Sequence, residues 1–160
     1  MIQIDSYRPS DRAVLIEFVE AIQEHERIDV SDLKPGPEIG QLYAEILLRR
    51  VAEHNGCILL ARTETRTVGF ACAWIEEDDD PLLRDEMRAH AYISDIYITE
   101  DWRRKGVATK LLNALEEDMR RRGCARIRVC AKAANRIAVD CYRRSGYRTY
   151  EIIFSKSLQG

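Results

Sequence analysis

Residues 92 to 109 read Tyr92-Ile-Ser-Asp-Ile-Tyr-Ile-Thr-Glu-Asp-Trp-Arg-Arg-Lys-Gly-Val-Ala-Thr109, an apolar strand that passes through a basic turn into a helix. The first backbone N–H groups of a helix have no partner within the helix, and the helix dipole makes that end partly positive. Gly106 leaves the approach to these groups open because it has no side chain, and Ala108 adds only a methyl group. The stretch therefore predicts a turn that binds a pyrophosphate.

The helix after this turn is supported by apolar residues at helical spacing, such as Val107, Leu111 and Leu115, and by Gly123 as a stop signal. Arginines at 120 to 122 crowd its last turn, where cations complement the negative end of the dipole. Nucleic-acid binding is the alternative explanation for this basic run. A formal net charge of −2 gives that alternative no support, so no nucleic-acid partner is predicted.

Two motifs of the chain can be compared with known phosphate-binding patterns. The turn lacks the glycine pattern of a P-loop or of a dinucleotide fingerprint. Arg103-x-x-Gly106-x-Ala108 instead resembles the Gln/Arg-x-x-Gly-x-Gly/Ala signature of the GNAT superfamily of N-acetyltransferases. Downstream, Asn135-Arg-Ile-Ala138-x-x-x-Tyr142-x-x-x-Gly146-Tyr147 resembles the second coenzyme-binding motif of that superfamily. The resemblance extends over nearly the whole length and implies acetyl-coenzyme A as co-substrate.

Size and composition fit one soluble domain over residues 1–160. The chain has 46% hydrophobic and 32% charged residues, and its apolar runs are too short to span a bilayer. The N-terminus lacks the apolar core of a secretory signal, and the five scattered cysteines favour reduced thiols over disulfides or zinc. A cytoplasmic protein without a membrane partner is expected.

Hydrophobic periodicity predicts an α/β protein with a mixed sheet and helices on both faces, in the order β-α-α-β-β-β-α-β-α-β. This order matches the GNAT-like fold. The family often ends in two strands, whereas only one terminal strand fits after Tyr147, so the substrate side is either more open or completed by a second subunit of a homodimer. The remaining expected elements are a strand from Ile2, a helix from Asp11 to about Glu24, a loop from Asp29 to Gly40, a helix from about Glu38 to Glu53, a hairpin of Cys57 to Arg62 with Val68 to Ile75, an acidic loop from Glu76 to Asp80, a strand at Ile127 and Val129, a helix from Asn135 to Ser145 and a last strand from Tyr150 to Ser155.

The family resemblance implies a set of coenzyme-binding residues. Backbone groups of the central strand would hold the pantetheine arm, although the same residues also fit a plain core strand. The turn would hold the pyrophosphate, although Arg103 and Lys105 could instead form a solvated loop. Asn135 would contact the pantetheine arm, or serve only as a helix cap. The full set is Ile96, Tyr97, Ile98, Arg103, Arg104, Lys105, Gly106, Val107, Ala108, Thr109, Asn135 and Tyr142.

Acetyl transfer from a thioester to an amine needs a proton donor for the thiolate and a base for the ammonium. By its motif position Tyr142 is the candidate acid, although a tyrosine on an amphipathic helix is also an ordinary core residue. Asp95 is the candidate base, against the alternative of a hydrogen-bonded strand residue. Glu76 and Glu77 compete with it and could attract a cationic acceptor. Some relatives carry a glutamate base where this chain has Cys130.

The predicted function is N-acetyl transfer to a primary amine by direct attack in a ternary complex. A small-molecule acceptor of the polyamine or aminoglycoside type is favoured. Acetylation of protein N-termini or lysines is the alternative within the enzyme class, and a non-catalytic acyl-coenzyme A sensor is the alternative outside it. His25, His54 and His90 are isolated and lack ligand spacing, so no metal is predicted.

Overall fold

The computed structural model describes residues 1–28, 30 and 32–158. Within them a five-stranded mixed sheet has the order β1-β2-β3-β4-β5, antiparallel except for the parallel pair β4 and β5. Helices cover both of its faces, so the predicted α/β fold class is confirmed. The strands are β1 Gln3–Ser6, β2 Cys57–Arg62, β3 Thr67–Glu77, β4 Ala89–Ile98 and β5 Ile127–Val129.

The described residues form five α-helices, of which α1 to α4 lie between strands and α5 follows β5, and their ends follow local sequence signals. Gly123, with φ of 90°, ends α4, and its neighbour Cys124 donates a backbone hydrogen bond to the Met119 carbonyl at 3.0 Å. The predicted loop from Asp29 to Gly40 lies partly outside the described residues, at Asp29 and Ser31, and its last residues belong to α2. The helices are α1 Arg12–Arg27, α2 Gly36–Glu53, α3 Asp85–Arg88, α4 Val107–Arg121 and α5 Arg136–Arg144.

The predicted acidic loop from Glu76 to Asp80 is only partly a loop. Glu76 pairs with His90 and Glu77 with Ala89, so both belong to β3. The apolar pattern stops at Ile75, but backbone pairing does not depend on apolar side chains and continues for two more residues. The hairpin of β2 and β3 is confirmed, and Thr63 N–H donates to the Arg66 carbonyl at 2.8 Å to close its turn.

Two apolar clusters hold the helices on the sheet. On one face Leu111 and Leu115 of α4 pack against Ala71 and Ile93. On the other face, residues of α1 and α2 such as Phe18 pack against Phe70 and its neighbours. Because both faces are covered, the middle strands are apolar on both sides rather than alternating. This fixes α1 and α4 on opposite sides of β4.

The sheet opens between β4 and β5. Their pairing covers only Ala91 to Ile93 with Ile127 to Val129. A bulge lies at the same level in the other ladder, where Ala73 pairs with Ile93 but Cys72 pairs with Asp95. A bulge bends a strand and increases its twist. Beyond Ile93, β4 therefore has one edge without a strand partner, and this edge faces a cavity.

The predicted last strand from Tyr150 to Ser155 is not formed, which corrects the expected element order at its end. Ile152, Ile153 and Phe154 are 67%, 82% and 90% exposed. β-Propensity stabilises a strand only where its side chains pack on a surface, and these have no such surface. Tyr150 instead lies with its ring 4.6 Å from the guanidinium carbon of Arg128.

The five cysteines are free thiols. Among the described residues, no helix combines the length and apolar character needed to cross a bilayer.

Candidate active site

A cavity of about 570 Å³ lies where β4 separates from β5, a volume typical of a small-ligand site. It is bounded by the second half of β4, the turn into α4, the helix α5 and the end of α1. Lys105, Glu76 and Glu77 are not among the residues that line it. The candidate residues that do line it are Asp95, Ile96, Tyr97, Ile98, Arg103, Arg104, Gly106, Val107, Ala108, Thr109, Asn135 and Tyr142.

The turn before α4 is held open by two residues with positive φ, Arg104 at 60° and Gly106 at 77°. A Cβ atom on Gly106 would meet no atom within 4 Å, so the backbone angle rather than space requires glycine there. The first helical hydrogen bond runs from the Lys110 N–H to the Gly106 carbonyl at 3.1 Å. The N–H groups of Val107, Ala108 and Thr109 thus have no helical partner and can bind an anion.

Basic side chains of the turn have different surroundings. The Nε of Arg103 donates to the Ile98 carbonyl at 3.1 Å, which fastens the turn to the end of β4. Lys105 is not part of the cavity lining, and its Nζ lies 4.9 Å from the centre of the ring of Trp102, which does line the cavity. The cations that remain at this end of the cavity are Arg103 and Arg104.

The residues Ile96, Tyr97 and Ile98 combine a core role with an accessible backbone. Ile96 and Ile98 pack with the α4 cluster, whereas the Tyr97 ring lies 5.2 Å from the Phe18 ring in the opposite cluster. Side chains alternate along the strand while the backbone edge facing the cavity has no strand partner. These residues can therefore belong to the core through their side chains and still offer backbone groups to a coenzyme.

Asp95 lies at the bulge of β4, and the phenol of Tyr43 donates a hydrogen bond of 3.1 Å to its Oδ2. Burial raises the pKa of Asp95 to about 6, while the hydrogen bonds from Ser94 and Tyr43 oppose that rise. The charge of Glu26 adds to the rise. A carboxylate with this pKa is ionised near neutral pH and is a stronger base than an ordinary aspartate.

Tyr142 forms part of the cavity wall, and its ring lies 5.8 Å from the ring of Tyr147. Burial raises the pKa of Tyr142 above its usual value of 10.0, and the neighbouring Cys141 and Asp95 raise it further. The phenol therefore keeps its proton at neutral pH and can act as a hydrogen-bond donor.

Asn135 caps α5, because its Oδ1 accepts a hydrogen bond from the Ala138 N–H at 3.1 Å. The cap uses only the oxygen of the amide. Since Asn135 also lines the cavity, its NH₂ group remains available as a donor.

The two predicted acceptor carboxylates lie away from the cavity wall. Glu76 accepts a hydrogen bond of 3.0 Å from the Trp74 Nε1, and its other oxygen is 3.9 Å from the His90 Nε2. Glu77 is exposed at the end of β3. Cys130 does line the cavity.

Sequence reasoning missed several residues of this region, and three of them are charged or polar. His25 and Glu26 line the cavity from the last turn of α1, which the apolar pattern had ended at about Glu24. Tyr43 lies in the second predicted helix, and its bond to Asp95 was not expected. The signal for α1 was weak because its last turn is polar. Among the described residues, no group of three or more His, Cys, Asp and Glu side chains is arranged to hold a metal ion.

Comparison with known proteins identifies the family. The model of the Acetyltransferase (GNAT) family matches residues 19–147, and the chain therefore belongs to this family. An uncharacterised N-acetyltransferase of Methanocaldococcus jannaschii is 29% identical over 91 residues, which are 55% of this chain and 37% of that relative. The chain thus matches well under half the length of this curated relative.

Solved structures share the fold. The aminoglycoside N-acetyltransferase AAC(6')-Iy in complex with CoA has a TM-score of 0.75 at 18% identity, over 99% of this chain and 95% of that chain. The structure of the same enzyme with a bisubstrate analogue, CoA-S-monomethyl-acetylneamine, has a TM-score of 0.74 at 17% sequence identity, over 98% of both chains. A four-substitution variant of the BH1408 protein of Bacillus halodurans has a TM-score of 0.86 at 16% sequence identity, over 98% of this chain and 99% of that chain.

Proposed function

We propose that this protein is an acetyl-coenzyme A dependent N-acetyltransferase that moves the acetyl group directly to a primary amine in a ternary complex. One observation carries the proposal: a single cavity contains the turn before α4 with its unpartnered N–H groups, the unpaired edge of β4, Tyr142 and Asp95. Family membership supports it independently. The alternatives are an acetyltransferase that acts on protein N-termini or lysines, and a sensor that binds acyl-coenzyme A without turnover.

The coenzyme would extend from the turn to the bulge. Its pyrophosphate would bind the N–H groups of the first turn of α4, with Arg103 and Arg104 nearby. The amide groups of the pantetheine arm would pair with the unpaired backbone edge of Ile96 to Ile98, in the manner of an added strand. Asn135 would donate to the same arm. This path ends with the thioester beside Asp95 and Tyr142.

In the proposed reaction the acceptor nitrogen loses two protons and the coenzyme sulfur gains one. An alkylammonium has a pKa of about 10.4, so it must lose a proton before its nitrogen can attack. Asp95, directly or through water, would take that proton. The neutral amine then attacks the thioester carbonyl, the N–C bond forms, and the C–S bond breaks as the sulfur leaves with the electron pair. Tyr142 would donate its proton to the leaving thiolate, and the second proton of the attacking nitrogen, acidic once the N–C bond has formed, would pass to the Tyr142 phenolate or to solvent water.

A small-molecule amine of the polyamine or aminoglycoside type is the acceptor that we favour. AAC(6')-Iy, which shares this fold, has been solved with an analogue that joins CoA to an aminoglycoside derivative. Thiol release should be measured across monoamines, polyamines, aminoglycosides and peptides. Turnover with small amines supports the proposal. Turnover with peptides alone would favour the protein-acetylating alternative, and coenzyme binding without any turnover would favour the sensor.

We also propose that residues 1–160 form one domain, that the protein is cytoplasmic and that it forms a homodimer. The exposed side chains of Ile153 and Phe154 in the C-terminal segment support self-association, because contiguous exposed apolar surface marks an interaction site. Light scattering of the chain and of Ile153→Asp with Phe154→Asp tests this. A dimer that the double variant converts to a monomer is expected, and a monomeric parent chain would contradict it.

A further inference from the structure

Two helix ends of opposite polarity border the cavity. The N-terminal end of α4, which is partly positive, lies with Arg103 and Arg104 at one side. The last turn of α1, whose carbonyls make it partly negative, contributes His25 and Glu26. The remaining cations of the lining, Lys132 and Arg144, belong to the segment after β5 and to α5. Positive and negative charges are thus carried by different elements.

Glu26 is a half-buried carboxylate with no ion pair or side-chain hydrogen bond to any part of the chain that the structure describes. Its neighbour Arg27 does not neutralise it, since Arg27 pairs with Glu24 at 3.0 Å. Glu24 in turn accepts a hydrogen bond from the Gly36 N–H. A carboxylate that is partly removed from water is stabilised by a cation. The cavity provides the space for one beside Glu26.

Asp95 cannot be the carboxylate that holds this bound cation. As the base it faces the nitrogen that must become neutral, whereas a binding carboxylate needs a nitrogen that stays protonated. Glu26 and Asp95 are close enough for the charge of Glu26 to raise the pKa of Asp95, after the larger effect of burial. The two carboxylates therefore face the same part of the cavity, Glu26 from α1 and Asp95 from β4.

Resting on the proposed N-acetyltransferase function, we propose that Glu26 and the C-terminal end of α1 bind a second ammonium group of the acceptor. The acceptors are then diamines or polyamines, in which one nitrogen reacts at Asp95 while another is held at Glu26. Glu26 is a specificity-determining residue and takes no part in the proton transfers.

The test compares two acceptors of matched length, 1,4-diaminobutane and n-butylamine, in thiol-release kinetics. Charge-assisted hydrogen bonds contribute enough to change affinity by about 10- to 100-fold. The parent protein should prefer the diamine in kcat/KM by this factor. At pH 8, where Asp95 is ionised with or without the charge of Glu26, Glu26→Gln should remove the preference by raising KM for the diamine and should leave the kinetic constants for n-butylamine unchanged. Glu26→Asp keeps the charge and should retain most of the preference.

Glu17→Gln is the matched control, because Glu17 is an exposed carboxylate on the same helix and outside the cavity lining. Glu17→Gln should leave kcat and KM for both amines unchanged. Coenzyme A affinity by calorimetry, unchanged in Glu26→Gln, shows that the variant is folded. Equal losses for both amines in Glu26→Gln, or a parent protein without diamine preference, would overturn the inference while leaving acetyl transfer intact. Absence of thiol release with every amine would overturn the proposed function as well.

Discussion

The phenol of Tyr43, on α2, donates a 3.1 Å hydrogen bond to the Oδ2 of Asp95, on β4, across 52 positions of sequence. This bond stabilises the ionised carboxylate, whereas burial favours the protonated form. The balance leaves the pKa of Asp95 at about 6. An acid of this pKa is largely ionised at pH 7 and yet accepts a proton more readily than an exposed aspartate.

Asp95→Asn tests the base assignment. The amide keeps the shape and can still accept the Tyr43 hydrogen bond, but it cannot take a proton. We expect kcat to fall by about 10²- to 10⁴-fold and to lose its rise between pH 5 and 7, with coenzyme affinity unchanged. The measurement is a pH–rate profile at saturating substrates. A profile like that of the parent protein would return Asp95 to the role of a hydrogen-bonded strand residue.

The same variant should alter stability in a pH-dependent way. The pKa of Asp95 is raised from 3.8 to about 6 in the folded chain. As pH rises from 4 to 6, the unfolded chain releases this proton first, so the folded state loses stability relative to it. The cost is complete above pH 6 and is at most about 3 kcal/mol, less where solvent in the cavity reaches the carboxylate.

Asp95→Asn lacks this cost. Its free energy of unfolding should exceed that of the parent by about 1–3 kcal/mol at pH 8, with the difference falling to about 0.5 kcal/mol at pH 4. Urea denaturation at the two pH values measures this. Glu17→Gln also converts a carboxylate to an amide, but at an exposed position. Its free energy of unfolding should stay within about 0.5 kcal/mol of that of the parent at both pH values. An equal stabilisation of Asp95→Asn at pH 4 and pH 8 would contradict a raised pKa.

Locally encoded features could be predicted from the sequence. The turn at Gly106, the stop at Gly123 and the hairpin closed by Thr63 depend on neighbouring residues, and the structure shows all three. The apolar stripe of α4 likewise fixed its position on the sheet. Such signals are short in range and require no knowledge of what packs where.

Features that depend on distant contacts could not be predicted. The bond from Tyr43 to Asp95 and the approach of Glu26 follow from how α1 and α2 pack on the sheet. The extension of β3 through Glu77 depends on pairing with β4, and the absent last strand depends on what lies beyond β5. Propensity alone indicated a strand around Phe154, and tertiary structure decided otherwise.

Tyr142→Phe tests the acid. The ring and its packing against Tyr147 are kept, so folding should be unaffected, while turnover should fall by roughly 10²-fold or more. The affinity for coenzyme A should barely change, because in the proposed role the phenol acts on the sulfur only as it leaves. Single-turnover rates and calorimetry measure the two quantities. Parent-like rates with a good acceptor would assign Tyr142 to the core alone.

Gly106→Glu tests the phosphate turn. It places a side chain and a negative charge where the pyrophosphate should meet backbone donors, so binding of coenzyme A should be lost in calorimetry. Gly123→Glu is the matched control, because Gly123 also has positive φ, at 90°, and open space around it. Both variants carry similar backbone strain, and only the first should lose the coenzyme. Equal coenzyme affinity in the two folded variants would remove the phosphate site from this turn.

Tyr43→Phe tests whether the hydrogen bond to Asp95 sets the working pH of the base. Removal of the phenol leaves burial and the charge of Glu26 to raise the pKa of Asp95 above its present value of about 6. A hydrogen bond to a charged group contributes about 1.5–3 kcal/mol, so the acidic limb of the kcat/KM profile should move up by roughly one to two pH units. At pH 9 the rate should approach that of the parent protein, since Asp95 is then ionised in both. Tyr7→Phe is the control, because Tyr7 packs on the same apolar cluster without bonding Asp95. If Tyr43→Phe lowers the rate equally at every pH, as a packing defect would, Tyr43 supports the fold and does not position or tune the base.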